Sequence, residues 1–274
     1  MRLRAQSGGR AVPSLERDGV RLFFEEREGG SPPFLFVHAW GADHTHFAPQ
    51  LEYFGGDHRT IAVDLRGHGQ SDKPERPYTM EAFADDVAWM CGELRIDRPV
   101  VVGHSMGGVV ALVLAADFPQ LPRALVALDA PILPTEQLAA AGPQLTAGMR
   151  SPAFREVTRQ FYSMVAGFDD QPASKERLID GLASGEQHVM ASAMEQVFAY
   201  DTASAASRCN LPFLYIAAGA WVADIARLRE LCPQLLTGQT VGAGHFHQLE
   251  VPEQLNPMIA RFVRLLGQGD SGAA

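Results

Sequence analysis

The sequence predicts an α/β protein: a mostly parallel sheet flanked by helices, interrupted by one all-helical insertion. Three observations carry that expectation. Short apolar runs without clear polar alternation recur at 33–38, 58–65, 99–104, 124–129 and 212–218, as strands covered on both faces require. Helical patterns alternate with these runs, which implies crossover connections and parallel pairing. The alternation lapses once, over 131–208, where helical periodicity continues without a convincing strand.

In chain order, the segment "SLERDGVRLFFEEREG" forms a hairpin around the turn dipeptide Asp18-Gly19. "PFLFVH" and "HRTIAVDL" follow as strands. Met80, Phe83, Val87, Met90 and Leu94 recur at helical spacing, with Thr79 as N-cap and Asp85, Asp86 and Glu93 off the stripe. "PVVVGH" is the next strand, and residues 106–117 are apolar on nearly all sides, a buried helix. "ALVALD" and "PFLYIAA" are strands, "TGQTVG" (237–242) a weaker last one. Leu255, Met258, Ile259, Phe262 and Leu266 make one face of a final helix after Pro252.

The chain has 274 residues, 46% of them hydrophobic, enough for one core domain with an inserted subdomain. The core is expected over 13–130 and 209–267 and the insertion over 131–208, with 1–12 and 268–274 as disordered tails. A net charge of −9 without a Lys/Arg stripe argues against a nucleic-acid partner. Three cysteines, Cys91, Cys209 and Cys232, argue against a disulfide framework or a zinc site. The polar N-terminus lacks the apolar stretch of a secretory signal, and no run is long enough to span a bilayer. The expectation is a cytoplasmic protein acting on a small molecule without a membrane partner, metal or organic cofactor.

Gly103-His104-Ser105-Met106-Gly107 fits G-x-S-x-G, the pattern that lifts a serine onto a strained strand-to-helix turn. The bare pattern also occurs in ordinary turns; the strand before it and the helix after it set this one apart. The helix N-terminus favours a developing oxyanion, which makes the Met106 N–H a donor to it. A serine needs a base. Of nine histidines, His245 lies in the Gly-rich loop "VGAGHF" directly after the last strand, on the sheet edge that carries the elbow. His247 is its rival, closer to the final helix.

With "FLFVHAW", "AVDLRGHGQSDKP", "VVVGHSMGG" and "VGAGHF" in that order, the chain resembles the α/β-hydrolases from about Ser14 to Leu266. The resemblance implies a nucleophile at Ser105, a base at His245 and a lid built from the insertion after the sixth strand. It also implies a second oxyanion donor by position, the N–H of Trp40, in "HAW" where relatives often carry His-Gly-x. Ala39 departs from that glycine. Asp64, Arg66 and His68 in "DLRGHGQS" fit an architectural turn.

A carboxylate must orient the histidine. Many relatives place it after the strand "PFLYIAA", but there the usual position holds Val222, and Asp224 lies beyond it. The alternative is Asp129 in "LDAPILPT", where relatives resembling haloalkane dehalogenases, fluoroacetate dehalogenases and zearalenone lactonases place their acid. Both stay open on the sequence, with Asp129 favoured.

A serine nucleophile excludes dehalogenase chemistry, which attacks with a carboxylate. The leading expectation is hydrolysis of a carboxylic ester or lactone of a small to medium apolar or aromatic substrate. Phe154, Phe161, Tyr162, Met164, Met190, Met194 and Phe198 suggest apolar lid helices; no dense positive group there invites a strongly anionic substrate, though Arg150, Arg155, Arg159 and Arg177 could contribute. The alternatives are a cofactor-free dioxygenase or carbon–carbon bond hydrolase using the same residues, and a non-catalytic ligand receptor.

Overall fold

The computed structural model describes residues 13–168 and 170–270. The expected tail at 1–12 and the last four residues lie outside them. The elements run β1 (Ser14–Arg17), β2 (Val20–Arg27), β3 (Gly30–Val37), a 3-10 turn (His44–Phe47), α1 (Ala48–Phe54), β4 (His58–Val63), α2 (Met80–Glu93), β5 (Val100–His104), α3 (Met106–Asp117) and β6 (Ala124–Leu128). Then come α4 (Glu136–Met149), α5 (Phe154–Val165), α6 (Pro172–Leu182), α7 (Gln187–Ala199) and α8 (Thr202–Arg208). The chain closes with β7 (Phe213–Ala217), α9 (Ile225–Leu231), β8 (Leu235–Gln239), α10 (His247–Glu250) and α11 (Pro252–Asp270).

The strands form one eight-stranded sheet in the order β1-β2-β4-β3-β5-β6-β7-β8. β1 and β2 are an antiparallel hairpin, β2 meets β4 antiparallel, and every later pair is parallel. The pleat divides the core in two. Phe34, Phe36, Val100 and Val102 face α1 and α11, with Phe54, Leu255 and Ile259. Leu35, Val37 and Val101 face α2, α3, α8 and α9. The parallel strands β3 to β7 therefore bury both faces over most of their length, which is why they carry no polar alternation.

Between β6 and β7 the chain is helical from α4 to α8, and its one sheet-like contact is an isolated bridge, Pro134 to Ala223. Two boundaries differ from expectation. The last strand begins at Leu235 rather than at 237, because it is an edge strand whose Leu236 is 47% exposed and its apolar signal is weak. The final helix continues to Asp270, so residues 268–270, expected in the tail, are helical. Cys91, Cys209 and Cys232 are free thiols, all buried. Among the described residues no helix is long and apolar enough to cross a membrane.

Phe36 lies fully buried on central β3, in ring contact with Phe34, Phe47 and Phe54. Phe36→Ala should lower the unfolding free energy by about 3–5 kcal/mol, read from the midpoint of a urea titration at unchanged m.

Candidate active site

Ser105 occupies the bend between β5 and α3 at φ +53°, ψ −120°. A non-glycine residue held at positive φ costs on the order of 1–3 kcal/mol, so the surroundings must enforce it. They do so from both sides: Ser105 N–H donates to Leu128 O at 2.9 Å, while Ser105 O accepts from Gly108 N–H at 2.9 Å. A Cβ at Gly103 would run into the Gly107 backbone, and one at Gly107 into the carbonyls of Val37 and His38. The motif's glycines are thus set by close approach. Met106 opens α3, so its N–H has no intrahelical acceptor.

Asp129 sits just past β6 at φ +44°, its N–H donating to Ile216 O at 2.8 Å. Its Oδ2 meets His245 Nδ1 at 2.7 Å, and its Oδ1 accepts from Ala218 N–H at 3.1 Å. The carboxylate is an acceptor, so Nδ1 carries a proton, and in the neutral tautomer this selects the lone pair sits on Nε2. Both side chains are nearly covered, at 11% exposure for His245 and 4% for Asp129. Asp224 does something else: its Oδ1 accepts from Arg227 N–H at 3.0 Å and caps α9, and it is exposed. His247, the rival imidazole, is fully buried with Nδ1 on Thr240 Oγ1 at 3.1 Å.

Ser105, Met106, Asp129, His245 and Trp40 line one cavity of about 80 Å³. Serine and imidazole face the same space, with no direct hydrogen bond between them among the described contacts; such bonds commonly tighten only when substrate binds. Two larger open grooves, about 530 and 660 Å³, lie elsewhere and contain none of these residues. The rest of the wall is apolar: Phe161, Tyr162, Val165, Met194 and Phe198 from the insertion, with Val222 at the rim. Met164, on the same helix, turns to solvent at 78% exposure. The four insertion arginines named above point elsewhere, as does the fifth, Arg208, which pairs with Asp117: Arg150 pairs with Glu195, Arg155 donates to Ala183 O, Arg159 pairs with Glu176 and Asp180, and Arg177 donates to Ser174 Oγ.

The segment 38–41 has its own lock. His38 Nδ1–H donates to Ala39 O at 2.7 Å and Nε2 accepts from Leu65 N–H at 3.0 Å. Ala39 O and Trp40 N–H belong to one planar peptide, so holding the first orients the second. Among the described residues Trp40 N–H makes no backbone hydrogen bond. Ala39 fits where relatives often have glycine, because the positive φ here falls on Gly41. His38 was assigned no role on the sequence; only its neighbours in space give it one.

Buried histidines recur through the core, and two of them, His104 and His247, lie near His245. His104 Nε2 lies 2.8 Å from His245 O and its Nδ1 3.0 Å from Gln248 Nε2, with its ring 4.6 Å from that of His245. A carbonyl only accepts, so His104 carries its proton on Nε2 and Gln248 presents its amide nitrogen. Burial, above all, pushes His104 well below its ordinary pKa, lowers His38, and brings His68 to about 3 and His247 to about 4. For His44 burial also acts downward and is the largest single influence, but the hydrogen bond to Asp64 and the charges of Asp64, Asp43 and Glu25 together exceed it and the pKa is raised. Asp43, His44 and Asp64 are the one group among the described residues with metal-like spacing. Asp64 is already filled, by His44 N–H and Nδ1 at 2.7 and 2.8 Å and by Gln70 N–H at 2.7 Å, which makes it a lock for the 64–71 turn.

The family model described as alpha/beta hydrolase fold matches residues 32–252. The chain is 30% identical over 233 residues to 3-oxoadipate enol-lactonase 2 of Acinetobacter baylyi, covering 82% of this chain and 86% of that one. It is 35% identical over 160 residues to 2-(acetamidomethylene)succinate hydrolase of Mesorhizobium japonicum, covering 58% of this chain and 57% of that relative's length. Among solved structures, the enol-lactonase of Burkholderia xenovorans LB400 superposes with TM-score 0.83 at 20% identity, covering 92% of this chain and all of that one, a likeness of fold.

The buried histidines set a pH dependence. Between about pH 6.5 and 4 the unfolded chain takes up protons that folded His38, His68, His104 and His247 refuse, so stability should fall on acidification, by up to about 1.4 kcal/mol per pH unit for each. His44, with its raised pKa, acts above this window: folded His44 takes up its proton before pH 6.5 is reached, and the stability it contributes is fully present below that. His247→Asn should flatten the slope by up to one proton's worth, measured from urea midpoints at pH 7.5, 6.5, 5.5 and 4.5.

Proposed function

The chain belongs to the α/β-hydrolase fold family, and from that premise we propose that it is a serine hydrolase cleaving a carboxylic ester or lactone of a small to medium apolar or aromatic substrate. The observation that carries this reading is the Asp129–His245 pair beside Ser105 in a single apolar cavity. Ser105 Oγ attacks the carbonyl carbon while His245 Nε2 takes the hydroxyl proton. Asp129 holds the Nδ1–H and stabilises the imidazolium that forms. The N–H groups of Trp40 and Met106 hold the oxyanion. Collapse expels the alkoxide, which takes the proton back from His245. Water, deprotonated by the same nitrogen, then hydrolyses the acyl-enzyme.

The helical insertion 131–208 acts as the lid in this reading. Its side chains close the cavity to about 80 Å³, well below the ~300–1,000 Å³ of most ligand pockets. A short acyl group fits under it as it stands; a larger substrate requires the insertion to shift. The relatives named above for 3-oxoadipate and for a succinate act on carboxylates. No Lys or Arg is among the residues lining this cavity, and the insertion arginines are engaged elsewhere. A carboxylate in such a wall lacks a partner, which favours an uncharged substrate.

Two experiments test the proposal. On a panel of aryl and alkyl esters and lactones, Ser105→Ala should lose about a million-fold in kcat and Asp129→Asn about 10,000-fold, while Asp224→Asn stays close to wild type; a crippled Asp224→Asn beside a healthy Asp129→Asn would move the acid. On matched substrates with a terminal methyl ester or a terminal free carboxylate, kcat/KM should favour the uncharged member by at least about 100-fold. Oxygen uptake in place of ester cleavage would mark cofactor-free dioxygenase chemistry, and a Ser105 that takes no fluorophosphonate label would mark a ligand receptor.

A further inference from the structure

Helix α5 touches both halves of the site within one turn. Tyr162 Oη–H donates to Trp40 O at 2.5 Å. Three residues on, Val165 O accepts from His245 N–H at 2.8 Å. Residues three apart share a helix face, and Val165 ends α5, so its carbonyl has no intrahelical donor to satisfy it. Further contacts follow the same division. Trp40 Nε1–H donates to Met190 O on α7 at 2.9 Å. Glu250 accepts from Gly167 N–H, just past α5, and from Gly244 and Phe246 N–H on either side of His245, at 3.1, 2.8 and 3.2 Å.

We infer that α5 is a clamp that assembles the site when the insertion is closed, and that Tyr162 is a positioning residue for the oxyanion donor at Trp40. The inference rests on the reading of Ser105, His245 and Trp40 given above. Its physical basis is that Trp40 has a peptide on each side. His38 fixes the carbonyl of the first, at Ala39; Tyr162 fixes the carbonyl of the second, at Trp40 itself. The Trp40 N–H belongs to the first plane; with the second plane held as well, on the other side of the Trp40 Cα, that N–H is restrained from both sides. The ring of Tyr162, 5.6 Å from both Trp40 and Phe246, would fill the wall equally well as phenylalanine. The hydroxyl is the part that wall-building does not require. Burial keeps the phenol's pKa well above its ordinary value, so it remains a donor at any working pH. Lifting the insertion would break the Tyr162 and Val165 bonds together, so the oxyanion donor and the base are in place only under a closed lid.

The test is Tyr162→Phe, assayed on the best ester of the panel beside wild type and Ser105→Ala. The expected result is a kcat lowered about 10- to 100-fold, the scale of a small misplacement of a catalytic group, with KM within about twofold. Inhibition by an alkylboronic acid, which becomes tetrahedral on Ser105, should weaken by the same factor, since the lost bond acts on the oxyanion and not on the ground state. Partial unfolding of the variant lowers the amplitude of the boronate titration and leaves its Ki unchanged, so the two effects separate. A kcat within about twofold of wild type, or a rise in KM alone with unchanged boronate affinity, overturns the clamp while leaving the hydrolase reading intact. An active Ser105→Ala overturns both.

Discussion

The close approach of Gly107 to the carbonyls of Val37 and His38 is the constraint from which the site is built. β3 and β5 are neighbours with Phe36 opposite Val102 and Val37 opposite Gly103. The elbow after β5 and the turn after β3 therefore leave the sheet at the same height. Packing α3 directly on the end of β3 requires that nothing project from position 107. That contact forces the tight bend that puts Ser105 at positive φ, and it brings Met106 and Trp40 to the wall of one cavity. Nucleophile and oxyanion donors, in the proposed roles, share one rigid joint, so neither can be adjusted without the other.

The carboxylate bonded to His245 lies at the end of β6, and this changes what the loop after β7 is for. Ala218, at the end of β7, gives its N–H to Asp129 Oδ1. Beyond it the chain turns to the insertion: Thr135 N–H donates to Val222 O, and Asp224 N–H to Leu133 O. Asp224 then starts α9 as its cap. The loop that carries the acid in many relatives here anchors the root of the helical segment.

Much of this was legible in the chain. A doubly covered strand advertises itself as an unbroken apolar run, and the elbow by glycines that only close packing explains, so the parallel sheet and Ser105 could be read directly. Between Asp129 and Asp224 the sequence left the choice open, favouring Asp129 for its place in "LDAPILPT"; the hydrogen bond of Asp129 to His245 is visible only in three dimensions. What stayed hidden depends on long-range contact. α1 is one short helix, Ala48–Phe54, with too few turns for periodicity to show. Tyr162 and Met164 sit two apart on one helix and look alike as apolar residues, yet one is buried on Trp40 and the other faces water. The insertion arginines offered themselves to an anion until their partners Glu195, Glu176 and Asp180 came into view. His38 and His104 gave no sign, because a buried neutral imidazole is recognised only by the donor and acceptor that meet its two nitrogens.

That neutrality bears directly on the proposed chemistry. A base that takes the serine proton becomes a cation, and a second positive charge beside it would oppose that step. The His104 ring lies 4.6 Å from that of His245, tilted against it by 46°. Were it protonated, it would resist the very proton transfer the site requires. Burial removes that threat, and it also makes His104 useful: as a neutral ring it can donate through Nε2 to His245 O and accept at Nδ1 from Gln248, leaving both nitrogens satisfied. Gln248 O is in turn held by Gln50, which also bonds Asn256, so the loop carrying the base is tied through uncharged groups to α1 and α11. The imidazolium formed in turnover then feels one nearby charge on its Nδ1 side, the Asp129 carboxylate. With neutral imidazole and amides on one side and the Glu250 carboxylate on the loop's own N–H groups, the loop is held firmly with no second cation against His245 among the described residues.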